Sequence, residues 1–131
     1  MSLNRIMLSA LLLLIACIVP SYAENVTCTE CGMAADTNSK FAARIGQDKA
    51  SLPFCDIGDM FSYLKRKKPA NIRPEVKDFP SGEWIDARTA FYVHAEKKFK
   101  TPMGWGIAAF RDRSRASEYG DVMDYETVQK R

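Results

Sequence analysis

The sequence contains one histidine, a net charge of only +3, and no apolar run as long as a membrane-spanning helix. Removing Arg5 with the N-terminal segment leaves a net charge of +2, which is too small to predict binding to nucleic acid or to an anionic membrane surface. The histidine, His94, is isolated, and no set of acid, base and nucleophile stands out in the sequence. We therefore predict that the protein is not an enzyme.

The longest apolar run, Ile6 to Val19, covers about 14 residues, whereas a helix that spans a bilayer needs roughly 20. It follows the basic Arg5 and precedes Ser21-Tyr22-Ala23, a small-x-small cleavage site. This order is typical of a secretion signal over residues 1–23. We expect residues 24–131 to form one small mature domain.

A lipoprotein signal is the alternative, because Leu14-Ile15-Ala16-Cys17 resembles a lipobox that is cut before Cys17. In that case Cys17 carries the lipid, and the lipid anchor is the only attachment of the domain to a membrane. Both alternatives place the domain outside the cytoplasm. We expect it in the periplasm, either soluble or lipid-anchored.

Export changes what the cysteines can do. Cys17 belongs to the signal or to the anchor, so the mature domain retains Cys28, Cys31 and Cys55. Three thiols outside the cytoplasm cannot all pair within the chain, and an odd number is a poor disulfide framework. The count favours a role as ligands.

The run Cys28-Thr29-Glu30-Cys31-Gly32-Met33 places two thiols and a thioether within six residues. Gly32 allows the backbone to turn back after Cys31 without a clash at Cβ. Thiolates and thioethers are soft ligands, which favour copper(I) or zinc over magnesium or calcium. The sequence therefore predicts that a soft metal ion, a redox pair or a disulfide forms here.

Other uses of a Cys-x-x-Cys pair are less well supported. Covalent haem needs a histidine after the second cysteine, and Gly32 occupies that position. A thioredoxin-like pair lies at the start of a helix, but no helical pattern follows this one. A structural zinc site needs a second pair of ligands, and Cys55 and His94 are isolated in the sequence. Copper(I) accepts a small number of sulfur ligands.

Met103 is the second informative sulfur, because it lies in the loop Thr101-Pro102-Met103-Gly104-Trp105-Gly106 and not in an apolar periodic run. Pro102 restricts one backbone angle and the glycines allow a tight return, which would aim the thioether at a chosen point. A methionine that simply packs in a surface groove is the alternative.

Hydrophobic periodicity predicts an α+β fold made of two small ββαβ-like units packed as one domain. We expect a hairpin over residues 41–54, a helix from Asp56 or Asp59 to Lys68, an irregular segment before residue 39 and a connector over residues 69–82. In the second half we expect strands at 84–87, 90–95 and 107–110, a short helix at 112–119, and a last strand or helical turn in the tail.

Several motifs together resemble the NosL family of copper-binding accessory proteins. These motifs are Cys28-x-x-Cys31-Gly32-Met33, Phe54-x-Asp56 with Asp59-Met60-Phe61, Trp84-Ile85-Asp86-Ala87 with Ala90-x-Tyr92-Val93, and Thr101-Pro102-Met103-Gly104 with Ala109-Phe110. The resemblance covers about residues 26–120, which is nearly the whole mature chain. It implies the same α+β fold of two ββαβ units.

The resemblance also implies a function. NosL proteins serve assembly of the copper centres of nitrous oxide reductase as periplasm-facing, usually lipid-anchored copper(I) chaperones. The expected partners are a copper-accepting client enzyme or its membrane-bound maturation complex. Carried over by position, the ligand candidates are Cys28, Cys31, Met33 and Met103.

Two other functions remain open, namely a thiol–disulfide oxidoreductase that uses Cys28 and Cys31, and an exported structural domain with a disulfide between them. Trp105 occupies a position that is often small in the family, where it either shields the metal or simply packs. Cys55 is either an extra ligand or a small buried hydrophobic residue. His94 is expected to be exposed and not to bind metal.

Overall fold

The computed structural model describes residues 26–131. The expected secretion signal and the lipobox with Cys17 lie outside the described residues. The described strands are β1 Val26–Thr27, β2 Ala34–Ala35, β3 Ala43–Gln47, β4 Ala50–Phe54, β5 Ile72–Lys77, β6 Trp84–Asp86, β7 Phe91–His94, β8 Ile107–Phe110 and β9 Val122–Met123. The described helices are α1 Ile57–Lys67, α2 Arg113–Ser117 and α3 Tyr125–Lys130.

The first unit begins with the predicted hairpin, in which β3 pairs antiparallel with β4. Asp48 has a φ of 52° in the turn between the two strands. Helix α1 follows at once, and Asp56 is its N-cap, because the Asp56 carboxylate accepts a hydrogen bond of 3.1 Å from the Gly58 amide. The helix ends at Lys67, two residues before Pro69, as predicted.

The segment over residues 69–82 is not the predicted connector, since it contains β5 in the centre of a sheet of order β4-β3-β5-β6. Pro74 suggested a break because proline has no amide hydrogen to donate. However, its carbonyl accepts from the Ala87 amide at 2.9 Å, just beyond the end of β6. The Pro74 nitrogen therefore lies on the β6 side of β5, at a point where β6 has already ended and no strand needs an amide donor.

The second unit repeats the order of the first. β7 and β8 form a hairpin, α2 follows, and β9 returns to pair with β7, which gives a sheet of order β8-β7-β9. In both units the first strand is central and the strand after the helix pairs with it. The prediction of two ββαβ units is confirmed. A parallel bridge between Asp78 and Ala109 connects the two sheets.

The ends of the domain contain more structure than we expected. The segment before residue 39 includes a small hairpin, because β1 pairs antiparallel with β2 around residues 28–33, which we call the cysteine loop. Its strands are only two residues long, which is too short for an alternating pattern to be visible in the sequence. The tail forms both a strand, β9, and a helix, α3, where we expected one or the other.

The apolar face of α1 packs into the larger core. Ile57, Met60, Phe61 and Leu64, which recur at helical spacing, are all buried, and burial of each such side chain contributes roughly 1.5–3 kcal/mol. A second, aromatic core lies in the other half of the domain. Within residues 26–131, no helix combines the length and the apolar character that crossing a membrane requires.

Candidate metal centre

The cysteine loop is a tight turn closed by its own backbone. The Cys28 amide donates to the Met33 carbonyl at 2.7 Å, and the Gly32 amide donates to the Cys28 carbonyl at 3.0 Å. Gly32 has a φ of +75°, which is the left-handed conformation expected from the sequence. The Thr29 amide donates to the Pro53 carbonyl at 2.8 Å, so the loop is fastened to β4 next to Cys55.

Cys55 lies between the end of β4 and the start of α1. Asp59 is four residues further on, in the first turn of the helix, and Asp56 between them is an extended N-cap with φ of −141° and ψ of 140°. The Cys55 thiol donates to Asp59 Oδ2 at 3.5 Å. Both side chains are buried, with exposed fractions of 3% for Cys55 and 4% for Asp59.

The cysteine loop and the start of α1 meet in one cluster, which consists of Cys28, Cys31, Cys55 and Asp59. One ligand atom from each residue lies within 4.8 Å of the others. The Cys28 thiol donates to Asp59 Oδ2 at 3.5 Å, and the sulfurs of Cys31 and Cys55 are also 3.5 Å apart. All three cysteines are free thiols.

The size of this cluster suits a bound metal ion. Thiolate–metal bonds are about 2.3 Å long in zinc sites, so two ligands of such an ion lie at most about 4.6 Å apart. The four groups therefore need little movement to reach a common ion. Three sulfurs make this a soft set of ligands, and Asp59 adds a hard oxygen.

Burial changes the acidity of two of the thiols. It raises the pKa of Cys31, and it raises the pKa of Cys55 further, where hydrogen bonds with Cys31 and Cys28 also contribute. A thiol with a raised pKa keeps its proton at neutral pH, whereas the thiolate is the form that binds metal. Metal binding at this cluster therefore releases protons.

The loop over residues 101–106 is fastened to the start of α1 at two points. The Met103 amide donates to Asp56 Oδ2 at 3.0 Å, and the Trp105 indole donates to Asp59 Oδ1 at 2.8 Å. The Trp105 ring rests on Gly58, where a Cβ atom would lie only 2.0 Å from the Trp105 Cγ atom. This loop therefore lies against the same end of α1 that carries Asp59.

The predicted ligands fall into two groups. Cys28 and Cys31 lie in the cluster, whereas Met33 is 57% exposed and Met103 is 41% exposed at the protein surface. The role of all four residues as ligands stays a prediction. His94 does not belong to the cluster. Its Nε2 atom lies 3.4 Å from the Glu96 carboxylate.

Asp59 was missed as a member of the site, because at the sequence level it served only as a possible helix cap. A carboxylate four residues after Cys55, in the first turn of the predicted helix, is the signal that could have found it. Cys55 was left open between ligand and hydrophobic residue, and the structure places it among the other thiols.

The fold and the cluster define a class of protein: a small α+β domain whose thiol-rich cluster has the ligand types and the spacing of a soft-metal site. The chain belongs to the NosL family, whose model matches residues 20–130. The resemblance that the motifs indicated is thus confirmed.

A solved structure supports the fold as well. The chain is similar to the protein described as "Crystal structure of the copper chaperone NosL from Shewanella denitrificans", with 19% sequence identity and a TM-score of 0.68. The alignment covers 80% of this chain and 91% of the other. At this identity the likeness shows the fold, which confirms the α+β prediction. No match was found among curated proteins.

Proposed function

We propose that the protein is an exported copper(I)-binding metallochaperone that delivers copper for assembly of nitrous oxide reductase or of another periplasmic copper enzyme. The observation that carries this proposal is the cluster of three free thiols and one carboxylate within 4.8 Å. Membership of the NosL family and likeness to a structure described as a copper chaperone support it. Both also support the prediction that the protein is not an enzyme.

The side chains suit the transport of copper(I). Soft thiolates bind this ion well, and Cys28, Cys31 and Cys55 supply three of them. The thioethers of Met33 and Met103 carry no proton, so they stay available at any ordinary pH. Met33 is exposed in the cysteine loop, and Met103 is exposed in the loop over residues 101–106, which we call the Trp105 loop. These positions suit a role in capturing the ion or passing it on.

Delivery would occur by ligand exchange. Cys28 and Cys55 are buried, but Cys31 is only half-buried, so an acceptor approaches the ion most easily on the Cys31 side. An acceptor thiolate or thioether adds to the ion there, and the chaperone thiolates leave one after another. The acceptor is the client enzyme or a membrane-bound maturation complex.

Export to the periplasm is part of the proposal. The support is the signal-like N-terminal sequence, with either cleavage after Ala23 or lipidation of Cys17. The intact mass of protein recovered from the periplasm and from the membrane fraction distinguishes the two. A protein that retains residues 1–23 in the cytoplasm would contradict export.

A titration with copper(I) against a colorimetric competitor tests the binding function on the reduced protein purified from the periplasm. We expect one ion to bind per protein, and Cys28→Ser and Cys31→Ser to weaken binding by more than the roughly 10–100-fold that loss of an outer-shell partner costs. Met33→Ala and Met103→Ala test the predicted thioether ligands. Lys49→Ala is the control, because Lys49 lies in the β3–β4 turn, at the end of that hairpin away from Cys55.

Two results would favour other functions. Insulin reduction without copper affinity would indicate a thiol–disulfide oxidoreductase that uses Cys28 and Cys31. Absence of both activities, with Cys28 bonded to Cys31 under all conditions, would indicate a structural domain. A disulfide also removes the thiolate ligands, so each titration needs a parallel thiol count.

A further inference from the structure

Trp105 is an unusual residue for an exposed loop. Its side chain is 43% exposed, yet its indole nitrogen donates a hydrogen bond to the carboxylate of the buried Asp59. Among the described residues the large apolar side chains that remain exposed are Met33, Met103 and Trp105. Two of the three, Met103 and Trp105, belong to the loop that is fastened to the start of α1. Trp105 therefore connects the surface to the cluster of thiols through Asp59.

The hydrogen bonds of Asp59 divide between its two oxygens. Oδ1 accepts from the Trp105 indole at 2.8 Å, while Oδ2 accepts from the thiols of Cys28 and Cys55, each at 3.5 Å. The two oxygens of a carboxylate form one rigid group, so a hydrogen bond that fixes one oxygen also restricts the position of the other. The indole is thus one of three groups that fix how Asp59 faces the sulfurs, and it is the one that holds Oδ1.

Gly58 makes this arrangement possible. It directly precedes Asp59 in the first turn of α1, and the Trp105 ring occupies the space of its absent side chain. A Cβ atom at this position would lie 2.0, 2.3 and 2.5 Å from three atoms of Trp105. No real contact is this short, so any larger residue at position 58 must displace the ring.

We propose that Trp105 is a positioning residue, which holds the Asp59 carboxylate within reach of an ion bound by the three sulfurs and covers this side of the cluster, so that a bound ion is released slowly. This inference rests on the proposed function. It goes further by assigning a role in cargo retention to a residue that cannot itself supply a soft ligand. Gly58 has a role only through the space it leaves for the indole.

The rate of copper(I) release to an excess of a colorimetric chelator tests the proposal. Hydrogen bonds to charged groups are among the stronger ones, so we expect about tenfold faster release from Trp105→Phe, which retains an aromatic ring but loses the indole donor. Gly58→Ala is expected to accelerate release to at least the same extent, although it changes neither Asp59 nor any thiol.

The double variant separates this role from general damage to the fold. Gly58→Ala is expected to add nothing in a Trp105→Ala background, because the ring that it displaces is already absent. Gly46→Ala is the matched control, since its Cβ atom meets only the flexible end of Arg73, at 3.1 Å. Its release rate should equal that of the wild type.

A copper-free measurement tests the contact itself. In the NMR spectrum of the reduced protein, Asp59→Asn should shift the indole N–H resonance of Trp105 and leave that of Trp84 in place. An unshifted Trp105 resonance, or wild-type release from Trp105→Phe, overturns the proposal alone. A wild type that binds no copper(I) overturns the proposed function and this proposal with it.

Discussion

The two ββαβ units have the same topology, but only the first contains a thiol cluster among the described residues. The comparison is sharpest at the helix starts. Asp56 precedes α1 and Asp112 precedes α2, and both are N-cap residues. The residue before the cap is Cys55 in the first unit and Arg111 in the second, and the residue three after it is Asp59 in the first and Arg115 in the second.

In the second unit, both arginine side chains lie at the protein surface. Arg111 contacts the exposed Glu83 at 2.8 Å, and Arg115 lies 3.8 Å from Glu118, so both make ion pairs at the surface. Surface ion pairs of this kind contribute little to stability. The fold therefore supplies two equivalent helix starts, and only the one with Cys55 and Asp59 contributes to the cluster.

The largest effect is expected when the thiol of Cys55, which precedes the α1 cap, is removed. Cys55→Ser should weaken copper(I) binding by about 100-fold or more, because a hydroxyl is a poor ligand for a soft ion. The matched change in the second unit, Arg111→Ser, should leave the affinity unchanged. Competitor titrations measure both. Equal affinities of Cys55→Ser and the wild type would show that Cys55 is no ligand.

The next effect concerns stability. Asp56 is fully buried, and its carboxylate accepts from the amides of Gly58 and Met103. Asp56→Ala should therefore lower the free energy of unfolding by about 2–4 kcal/mol, through loss of the cap and of a partner for a second amide.

Asp112 provides the control for that prediction, because its side chain makes no capping hydrogen bond. We expect Asp112→Ala to lower the free energy of unfolding by about 0.5 kcal/mol or less, as for most surface substitutions. Urea denaturation of the reduced, metal-free proteins measures both values. Similar losses in the two variants would mean that the units depend equally on their caps.

The smallest effect concerns pH. The pKa of Cys55 is raised in the folded protein by burial, so the folded state keeps a proton that an unfolded cysteine loses above roughly pH 8.5. The unfolded state then binds fewer protons, and stability falls as pH rises, by up to about 1.4 kcal/mol per pH unit for this thiol. Urea denaturation at pH 8 and pH 10 measures the loss.

Cys55→Ser should remove most of this dependence from the metal-free protein. Cys31, whose pKa is also raised by burial, retains a part of it. Tyr92 shifts in the same direction, so only the difference between the variant and the wild type reports the thiol. An unchanged pH dependence in Cys55→Ser would show that Cys55 ionises as freely in the folded state as in the unfolded one.

Periodicity gave correct predictions where the elements are long enough to show it. The hairpin before Cys55, helix α1, β8 and the order of the two units were all foreseen. The strand with Pro74 was not, because its place in the sheet depends on where the neighbouring β6 ends. The two-residue strands beside Cys28 carry no pattern at all, and the loop between them is fastened to β4 by the Thr29 amide.

The sequence by itself determined the sulfur chemistry of this protein and its family. The spacing of Cys28 and Cys31 and the glycine that follows them are local properties, as are the motifs typical of NosL. Only the tertiary structure decided which side chains surround the thiols. Cys55, Asp59 and Trp105 come from three separate segments, and the distances among them depend on how β4, α1 and the Trp105 loop pack together.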